Sequence, residues 1–297
     1  MVTKIQHYSQ NIKEKSNTPH TSPSFFIFLH TDMELQTLID IVKEVSGLMV
    51  KSSSDFDIME KDGTANIVTS SDIAVQKALI SRLSALMPES QFLCEEEDVV
   101  CHEGKSSGTS AVWIIDPIDG TANYARGIRE CAISVGLRQN GQMELGVVYL
   151  PRTDECFSAQ RGKGAWLNGS PIHVSSRNFA NSIMCTAMCV YHKENAKVCS
   201  DIIMETYMQS NDVRRFGAAA PELCYLANGN IELYFEYCLS PWDYAASLLI
   251  LSEAGGYISD LQGRPLDPTK PSGVLAANTK ENLARLVEIV SHNIKAS

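Results

Sequence analysis

No CxxC pair occurs among the nine cysteines, no HxxxH spacing occurs among the seven histidines, and no apolar run approaches the length of a membrane span. The absence of CxxC pairs, together with the odd number of cysteines, favours a reducing compartment over a disulfide framework, so we expect a cytoplasmic protein. The absence of histidine ligand spacing excludes the usual zinc sites, so a bound metal ion would take oxygen ligands. The absence of a long apolar run predicts no membrane-spanning segment.

Positive charge is also scarce, because 25 lysines and arginines face 35 aspartates and glutamates, which gives a net charge of -10 and a pI near 5.2. Such a surface does not attract nucleic acid or anionic lipid. We therefore expect neither nucleic acid nor a membrane as a partner, and a small molecule instead. With 297 residues and 44% hydrophobic content, the chain can fill the core of one large domain or two small ones.

The pattern of residues divides the chain into three stretches. Residues 1–32 are polar and without periodicity, and their "FFIFL" is too short for a signal-peptide core, so we interpret them as a tail. Met33 opens a helical pattern, so one hypothesis is that translation starts there; the alternative is an ordinary disordered N-terminus. Residues 33–175 show helices followed by strands, and residues 176–297 alternate. The prediction is an α+β half joined to an α/β half near residue 175.

Hydrophobic periodicity predicts the individual elements. Predicted helices cover about 33–51, 71–86 and 196–209, one begins near residue 217, one covers 243–254, and one begins near 279; predicted strands cover 91–94, 111–116, 131–138, 143–150, 182–188 and 231–236.

The segment "WIIDPIDGTAN" places two carboxylates at the end of a buried strand. Asp116 emerges at the carboxyl edge of that strand, Pro117 forces a turn, and Asp119 arrives beside Asp116. Gly120 allows a tight bend, and Thr121 opens a short helix whose free amides favour an anion such as phosphate. Two adjacent carboxylates repel unless a proton or cation lies between them, and Mg²⁺ prefers such oxygen ligands. The segment therefore predicts a magnesium site.

Two further acidic segments follow apolar residues at predicted element ends. Glu95 and Glu96 come directly after the strand "QFLC", and Asp243 lies at the start of a helix in "SPWDYAAS". Taken alone, each has a plain structural interpretation: Asp243 as a helix N-cap, the acidic run as a solvated loop, and DPIDGT as a tight connection. The conjunction of all three favours a metal site.

With these segments, the chain resembles the inositol monophosphatase family of metal-dependent, lithium-sensitive sugar-phosphate phosphatases. The resemblance rests on "CEEED", "WIIDPIDGTANY" and "PWDYAAS", with support from "GVVYLPRTDECFSAQRGKGAWLNGSPIHVS" and "LSEAGGYISD", and it covers residues 35–292. It implies the layered αβαβα fold shared with fructose-1,6-bisphosphatase. It also implies a homodimer formed through the first half of the chain.

The resemblance implies roles for particular residues. Asp72 would pair with Thr121 to polarise the attacking water, although alone it would be interpreted as a helix N-cap. Lys61 would lie on a mobile loop near a third metal position, whereas an isolated lysine is ordinarily solvated. Glu95 would serve catalysis as well as metal binding. The implied Mg²⁺ ligands are Glu95, Asp116, the main-chain carbonyl of Ile118, Asp119 and Asp243, with Asp116 bridging two ions.

The same resemblance implies a substrate side. Glu236 would accept hydrogen bonds from ring hydroxyls, although it could equally be an exposed strand residue, and the Gly-Ala run at 217–219 could be plain helix packing. Departures from the family pattern, which put the substrate in doubt, are Cys94, Asn66, Ala218, Arg129 and Glu130. The implied substrate contacts are Asp119, Gly120, Thr121, Gly217, Ala218, Ala219 and Glu236.

The expected function is hydrolysis of a small phosphate monoester, with inositol 1-phosphate as the first substrate. The segment "DPIDGTANY" favours the inositol branch, because nucleotidase relatives tend to carry a lysine and an acidic residue after the threonine. The alternatives are a 3'(2'),5'-bisphosphate nucleotidase, a fructose-1,6-bisphosphatase, a histidinol-phosphatase, or a regulatory binding module.

Overall fold

Two large β-sheets and the helices packed on them make up most of this computed structural model, which describes residues 35–49, 58–60, 67–96, 111–190 and 192–296. The predictions for the tail 1–32, for Lys61 and for Asn66 lie outside the described residues. Among the helices that are described, none combines the length and apolar composition that a membrane crossing needs.

The first large sheet has seven strands in the order β3-β4-β5-β6-β7-β8-β9. Strands β3 and β4 are parallel, and every later pair in this sheet is antiparallel. A separate hairpin pairs β1 with β2. The elements are α1 (35–45), β1 (Ile58–Glu60), β2 (Ile67–Thr69), α2 (Ser70–Leu86), β3 (Gln91–Cys94), β4 (Val112–Asp119), α3 (Thr121–Ala125), β5 (Ala132–Gln139), β6 (Gln142–Leu150), β7 (Glu155–Gln160), β8 (Gly164–Leu167) and β9 (Ser170–Pro171).

The second large sheet has five strands in the order β11-β10-β12-β14-β13. Strand β10 runs parallel to both of its neighbours, whereas β14 runs antiparallel to both of its own. The elements are β10 (Ile183–Thr186), α4 (Ala196–Tyr207), β11 (Asp212–Arg214), α5 (Ala219–Ala227), β12 (Leu233–Leu239), α6 (Pro241–Glu253), β13 (Tyr257–Ser259), β14 (Ser272–Ala277) and α7 (Lys280–Ala296).

Three hydrophobic clusters show how the helices and sheets are layered. Helices α1 and α2 pack on one face of the first sheet, α5 and α6 pack between the two sheets, and α4 and α7 cover the far face of the second sheet. Strand β4 shows the period-two alternation behind this layering, because Trp113 and Ile115 join the outer cluster while Ile114 joins the middle one. The mixed sheets with interleaved helices confirm the predicted fold class.

Helix α6 lies unusually close to the first sheet, and two glycines permit this approach. A Cβ atom on Gly146 would lie 2.7 Å from the carbonyl oxygen of Ala246, and one on Gly136 would lie 3.3 Å from the nitrogen of Ala246. The helix backbone therefore lies directly against strands β5 and β6, with the Met143 side chain as the other close neighbour of Gly136. Because α6 carries Asp243 in its first turn, this contact also sets the depth of that carboxylate.

Several predicted boundaries differ from the structure for identifiable reasons. Strand β4 continues through Asp119 instead of ending at Asp116, because the register shifts between these two residues and pairing resumes after Pro117. The helix predicted from Gly217 begins at Ala219, since Gly217 has a φ of +85° that no helix accommodates. The short strand β11 was not predicted.

We expect Gly146→Ala to lower the free energy of unfolding by about 2 kcal/mol, because the new methyl group pushes α6 away from a well-packed sheet. Urea unfolding followed by circular dichroism measures the change. Gly47→Ala is the matched control, since a Cβ atom on Gly47 meets nothing within 4 Å. An equal effect of both substitutions would contradict the close approach of α6.

Candidate active site

A cavity of 640 Å³ lies where the carboxyl ends of β3 and β4 meet the first turns of α3, α5 and α6. Asp72 lies behind this cavity and reaches it through a hydrogen bond with Thr121. All the other described residues that the sequence predicted for the site line the cavity: Glu95, Asp116, Ile118, Asp119, Gly120, Thr121, Gly217, Ala218, Ala219, Glu236 and Asp243.

The DPIDGT turn is held by local bonds and by one glycine. The Ile118 amide donates to Oδ1 of Asp116 at 3.0 Å, and the fully buried Ile118 side chain anchors the turn in the core. Gly120 has a φ of +82°, and a Cβ atom there would lie 2.9 Å from both the Ala218 side chain and the Glu130 carbonyl oxygen. Glycine is therefore required at this position, both for its conformation and for the close approach of α5.

Asp119 connects this turn to the first turn of α5. Its Oδ2 accepts the Ala220 amide at 2.6 Å. Ala218 occupies the N-cap position of α5 without a capping side chain, so Asp119 supplies the missing acceptor from another segment. Burial raises the pKa of Asp119 to about 7, and the amides of Ala220, Ala219 and Gly120 limit that rise.

Asp243 lies in the third position of α6, whereas its structural interpretation from sequence placed it at the N-cap. Ser240 is the N-cap, Pro241 follows it, and the Ser240 amide donates to Oδ2 of Asp243 at 2.7 Å. This capping box fixes the carboxylate at the start of the helix. Burial raises the pKa of Asp243 well above its usual value, and the negative charges of Asp119 and Glu95 raise it further.

Helix α2 fixes the position of Glu95 through Gln76, a residue that the sequence analysis did not identify as part of the site. The buried Gln76 side chain donates to the Glu96 carbonyl at 2.6 Å and accepts the Glu96 amide at 3.0 Å, which fixes the backbone just after Glu95. Glu95 lines the cavity, whereas Glu96 is buried beside Gln76. The available signal was a glutamine on the apolar face of a predicted helix.

Asp72 has both a structural partner and a partner in the cavity. As the third residue of α2, it accepts the Thr69 amide at 2.8 Å and completes a capping box with Thr69, so it is not the N-cap itself. Its other oxygen lies 3.2 Å from Oγ1 of Thr121, which also lies 3.0 Å from the Ile118 carbonyl oxygen. Burial raises the pKa of Asp72 to about 6. One threonine hydroxyl proton thus has two competing acceptors.

The opposite wall of the cavity comes from β12 and from the segment before α5. Glu236 is half-buried, and the Tyr234 hydroxyl donates to its Oε2 at 2.6 Å. Burial raises the pKa of Glu236 to about 7, while Arg215 acts in the opposite direction. Gly217 and Ala218 border the same wall, so the structure places this predicted substrate set together.

Asn123 and Glu222 are among the cavity residues that the sequence interpretation missed. Nδ2 of Asn123 donates to the carbonyl oxygens of Glu130 and Phe216, both at 2.7 Å. Glu222 is buried and accepts two backbone amides. Both partner sets are backbone groups, so side-chain spacing in the sequence carries no signal for them.

The donor set of the cavity fits a hard divalent cation. Burial raises the pKa of Asp116 well above its usual value, and repulsion from Glu95, Asp119 and Asp243 adds to this rise. A cation among these oxygens would relieve the repulsion. Among the described residues, no group of three or more His, Cys, Asp or Glu side chains is arranged to hold a metal ion by itself. Mg²⁺ commonly takes only one or two carboxylates and completes its shell with water and substrate oxygens, so an open set of oxygens suits it.

Comparisons with known proteins find relatives of this chain by sequence and by fold. A model of the inositol monophosphatase family matches residues 30–295. The Nus factor SuhB of Vibrio cholerae is 34% identical over 232 residues, which are 78% of this chain and 85% of that protein. The IMPase of Thermotoga maritima is 26% identical, with a TM-score of 0.76 over 89% of this chain and 99% of that one. IMPase-II of Staphylococcus aureus, solved with inositol monophosphate bound, is 26% identical, with a TM-score of 0.72 over 91% of this chain and 96% of that one.

We expect Mg²⁺ to stabilise the folded protein more at pH 8 than at pH 5. The folded pKa values of Asp116, Asp119 and Asp243 are raised, so the stability of the metal-free protein is lost as the pH rises through them, about 7 for Asp119. A cation offsets this loss, and a ligand at 100 times its Kd adds about 2.7 kcal/mol. Thermal melts in EDTA and in Mg²⁺ at both pH values measure the difference.

Asp116→Asn provides the informative variant of the same experiment. Its metal-free form should melt above the wild type at pH 8, because one repelling carboxylate is gone, and Mg²⁺ should add little. Asp201→Asn is the control, since Asp201 forms a surface pair with Lys197 on α4. A Mg²⁺ effect of equal size at pH 5 and pH 8 would contradict the role of carboxylate repulsion.

Proposed function

We propose that this chain, which belongs to the inositol monophosphatase family, is a Mg²⁺-dependent phosphate-monoester hydrolase whose substrate is inositol 1-phosphate. The observation that carries the proposal is that one cavity is lined by Glu95, Asp116, Asp119 and Asp243, with Thr121 beside them. These carboxylates come from three separated segments, and their shared cavity is costly for folding without a cation.

Two Mg²⁺ ions would be held among Glu95, Asp116, the Ile118 carbonyl, Asp119 and Asp243, so that each ion takes only part of this set. When bound, Mg²⁺ polarises phosphoryl oxygens, lowers the pKa of a water molecule and balances charge on the leaving oxygen. Protein side chains then have to place the ester and direct one proton. No covalent nucleophile is needed for this chemistry.

Thr121 and Asp72 are the groups that we assign to the proton of the attacking water. The Thr121 hydroxyl can donate a hydrogen bond to the Asp72 carboxylate, whose Oδ1 lies 3.2 Å away. With its proton directed there, the Thr121 oxygen offers a lone pair to a water in the cavity and accepts a hydrogen bond from it. This pair therefore orients the water, and as the water attacks, its proton would pass to the Thr121 oxygen while the Thr121 proton passes to the Asp72 carboxylate.

The ring of the substrate would lie against the cavity wall that Glu236 and the first turn of α5 form. Glu236 can accept hydrogen bonds from ring hydroxyls, and Gly217 and Ala218 present a surface with little side-chain bulk. The S. aureus relative solved with inositol monophosphate favours this substrate for the present chain. A nucleoside bisphosphate, fructose 1,6-bisphosphate and histidinol phosphate are the competing substrates of the same reaction class.

We expect Asp116→Asn to lower kcat for inositol 1-phosphate by at least ~1000-fold, because the cation loses its central carboxylate ligand. Phosphate release from the four competing esters, measured with Mg²⁺ and again with added Li⁺, identifies the substrate and tests lithium sensitivity. Asp201→Asn is the control, and circular dichroism checks that each variant is folded. Wild-type turnover by a folded Asp116→Asn protein would overturn the assignment.

A second function, as a regulatory binding module in transcription, is favoured by the name of the Vibrio cholerae relative, Nus factor SuhB. That name also leaves the prediction of no nucleic-acid partner without support. Asp116→Asn separates the two functions, because a binding role would survive the loss of turnover. Phosphate release from none of the four esters, together with retained capture of a transcription complex, would favour the binding role.

The homodimer and the cytoplasmic location remain predictions. Light scattering of the purified chain measures its mass in solution and so tests the homodimer.

A further inference from the structure

Glu222 is a buried carboxylate on the cavity wall to which the resemblance assigns no role. It lies in the first turn of α5, and 2% of its surface is exposed. A single oxygen, Oε1, accepts the amide of Phe216 at 2.6 Å and the amide of Gly217 at 2.8 Å. Glu222 therefore ties the helix back to the turn that precedes it.

This turn carries the backbone that faces the ring side of the cavity. Gly217 has a φ of +85°, which glycine adopts readily, and residues 216–218 lie outside any helix or strand, so no backbone ladder fixes their position. Asn123 of α3 holds the same turn from the other side, since its Nδ2 donates a hydrogen bond to the Phe216 carbonyl oxygen at 2.7 Å. The turn is thus fixed between Glu222 and the segment that follows the DPIDGT residues.

We propose that Glu222 is a positioning residue that holds the turn 216–218 in place for the substrate ring, without contacting the phosphoryl group or a metal ion. This inference rests on the proposed hydrolase function. The group that it positions is backbone, so its effect falls on binding of the ring and not on the chemical step.

The geometry requires a hydrogen-bond acceptor at Oε1 rather than a negative charge. Burial raises the pKa of Glu222 to about 8, and the two donated amides limit the rise. A carboxyl group that is largely protonated near pH 7 still offers its carbonyl oxygen to both amides, and a glutamine side chain offers the same acceptor. Glutamine is therefore the conservative replacement, and alanine removes the acceptor.

The test compares two esters on Glu222→Ala and Glu222→Gln. Inositol 1-phosphate carries a ring that reaches the turn, whereas glycerol 2-phosphate carries only a short acyclic alcohol. We expect Glu222→Ala to raise KM for inositol 1-phosphate about tenfold, with kcat and the KM for glycerol 2-phosphate changed less than about threefold. Glu222→Gln should restore KM to within about twofold of the wild type.

Glu253→Ala is the matched control, because Glu253 also accepts two turn amides, those of Gly162 and Gly164 at 2.8 and 2.9 Å. Glu253 lies outside the cavity lining, so both KM values should stay at the wild-type level. An equal rise of KM for both esters in Glu222→Ala, or a Glu222→Gln protein that behaves like Glu222→Ala, would overturn the positioning role. If Glu222→Ala fails to fold, Glu222→Asp takes its place. Its side chain is one methylene shorter, so its oxygen no longer reaches both amides, and KM for inositol 1-phosphate is again expected to rise.

Calorimetric binding of inositol 1-phosphate separates this inference from the proposed function. Wild-type protein that releases no phosphate from either ester overturns the hydrolase assignment. The ratio of dissociation constants between Glu222→Ala and Glu222→Gln still decides the positioning role, because binding does not require turnover. A ratio near one overturns the positioning role, and a ratio of about ten supports it.

Discussion

Repulsion among buried carboxylates is the constraint from which the rest of the cavity follows. Asp116 and Asp119 are buried, and Glu95 and Asp243 are half-buried around the same space. Their negative charges repel one another. Burial away from solvent and this repulsion together raise the pKa of Asp116. The arginines that line the cavity, Arg126 and Arg215, are exposed at its edge. Folding alone therefore leaves the cavity short of positive charge, which is the condition that a divalent cation relieves.

Backbone amides make this concentration of charge tolerable. Asp116 accepts the amide of Ile118, Asp119 accepts that of Ala220, and Asp243 accepts that of Ser240. Two of these bonds lie at the first turn of a helix, where the helix dipole also favours negative charge. The same carboxylates thus cap helices and line the cavity, so the structural and functional interpretations of Asp243 are complementary. This double use explains why a simple N-cap interpretation is insufficient.

The sequence was sufficient for the parts of the fold and site that depend on local pattern. Strand β4, its turn and helix α6 follow from apolar runs, proline and glycine, and these elements carry Asp116, Asp119 and Asp243. Gln76 and Glu222 could not be predicted in the same way, because their partners are backbone groups whose positions depend on the folded chain. The start of helix α5 was missed for a related reason, because Gly217 lies in a turn that packs against Asn123, and this contact exists only in the folded chain. The family resemblance supplied the pairing of Asp72 with Thr121, which spacing alone does not indicate.

Asp119 links the two walls of the cavity, and this link has a thermodynamic consequence. Its Oδ2 holds the Ala220 amide at the start of α5, while the same carboxylate borders the space in which a cation would lie. A cation bound there would draw charge from Asp119 and weaken its bond to Ala220, and so it would act on the helix that borders the proposed ring-binding wall. Linkage is reciprocal, so a substrate that steadies the first turn of α5 must change the affinity for the cation by the same factor. Metal and substrate are therefore expected to bind as coupled ligands because one carboxylate serves both walls.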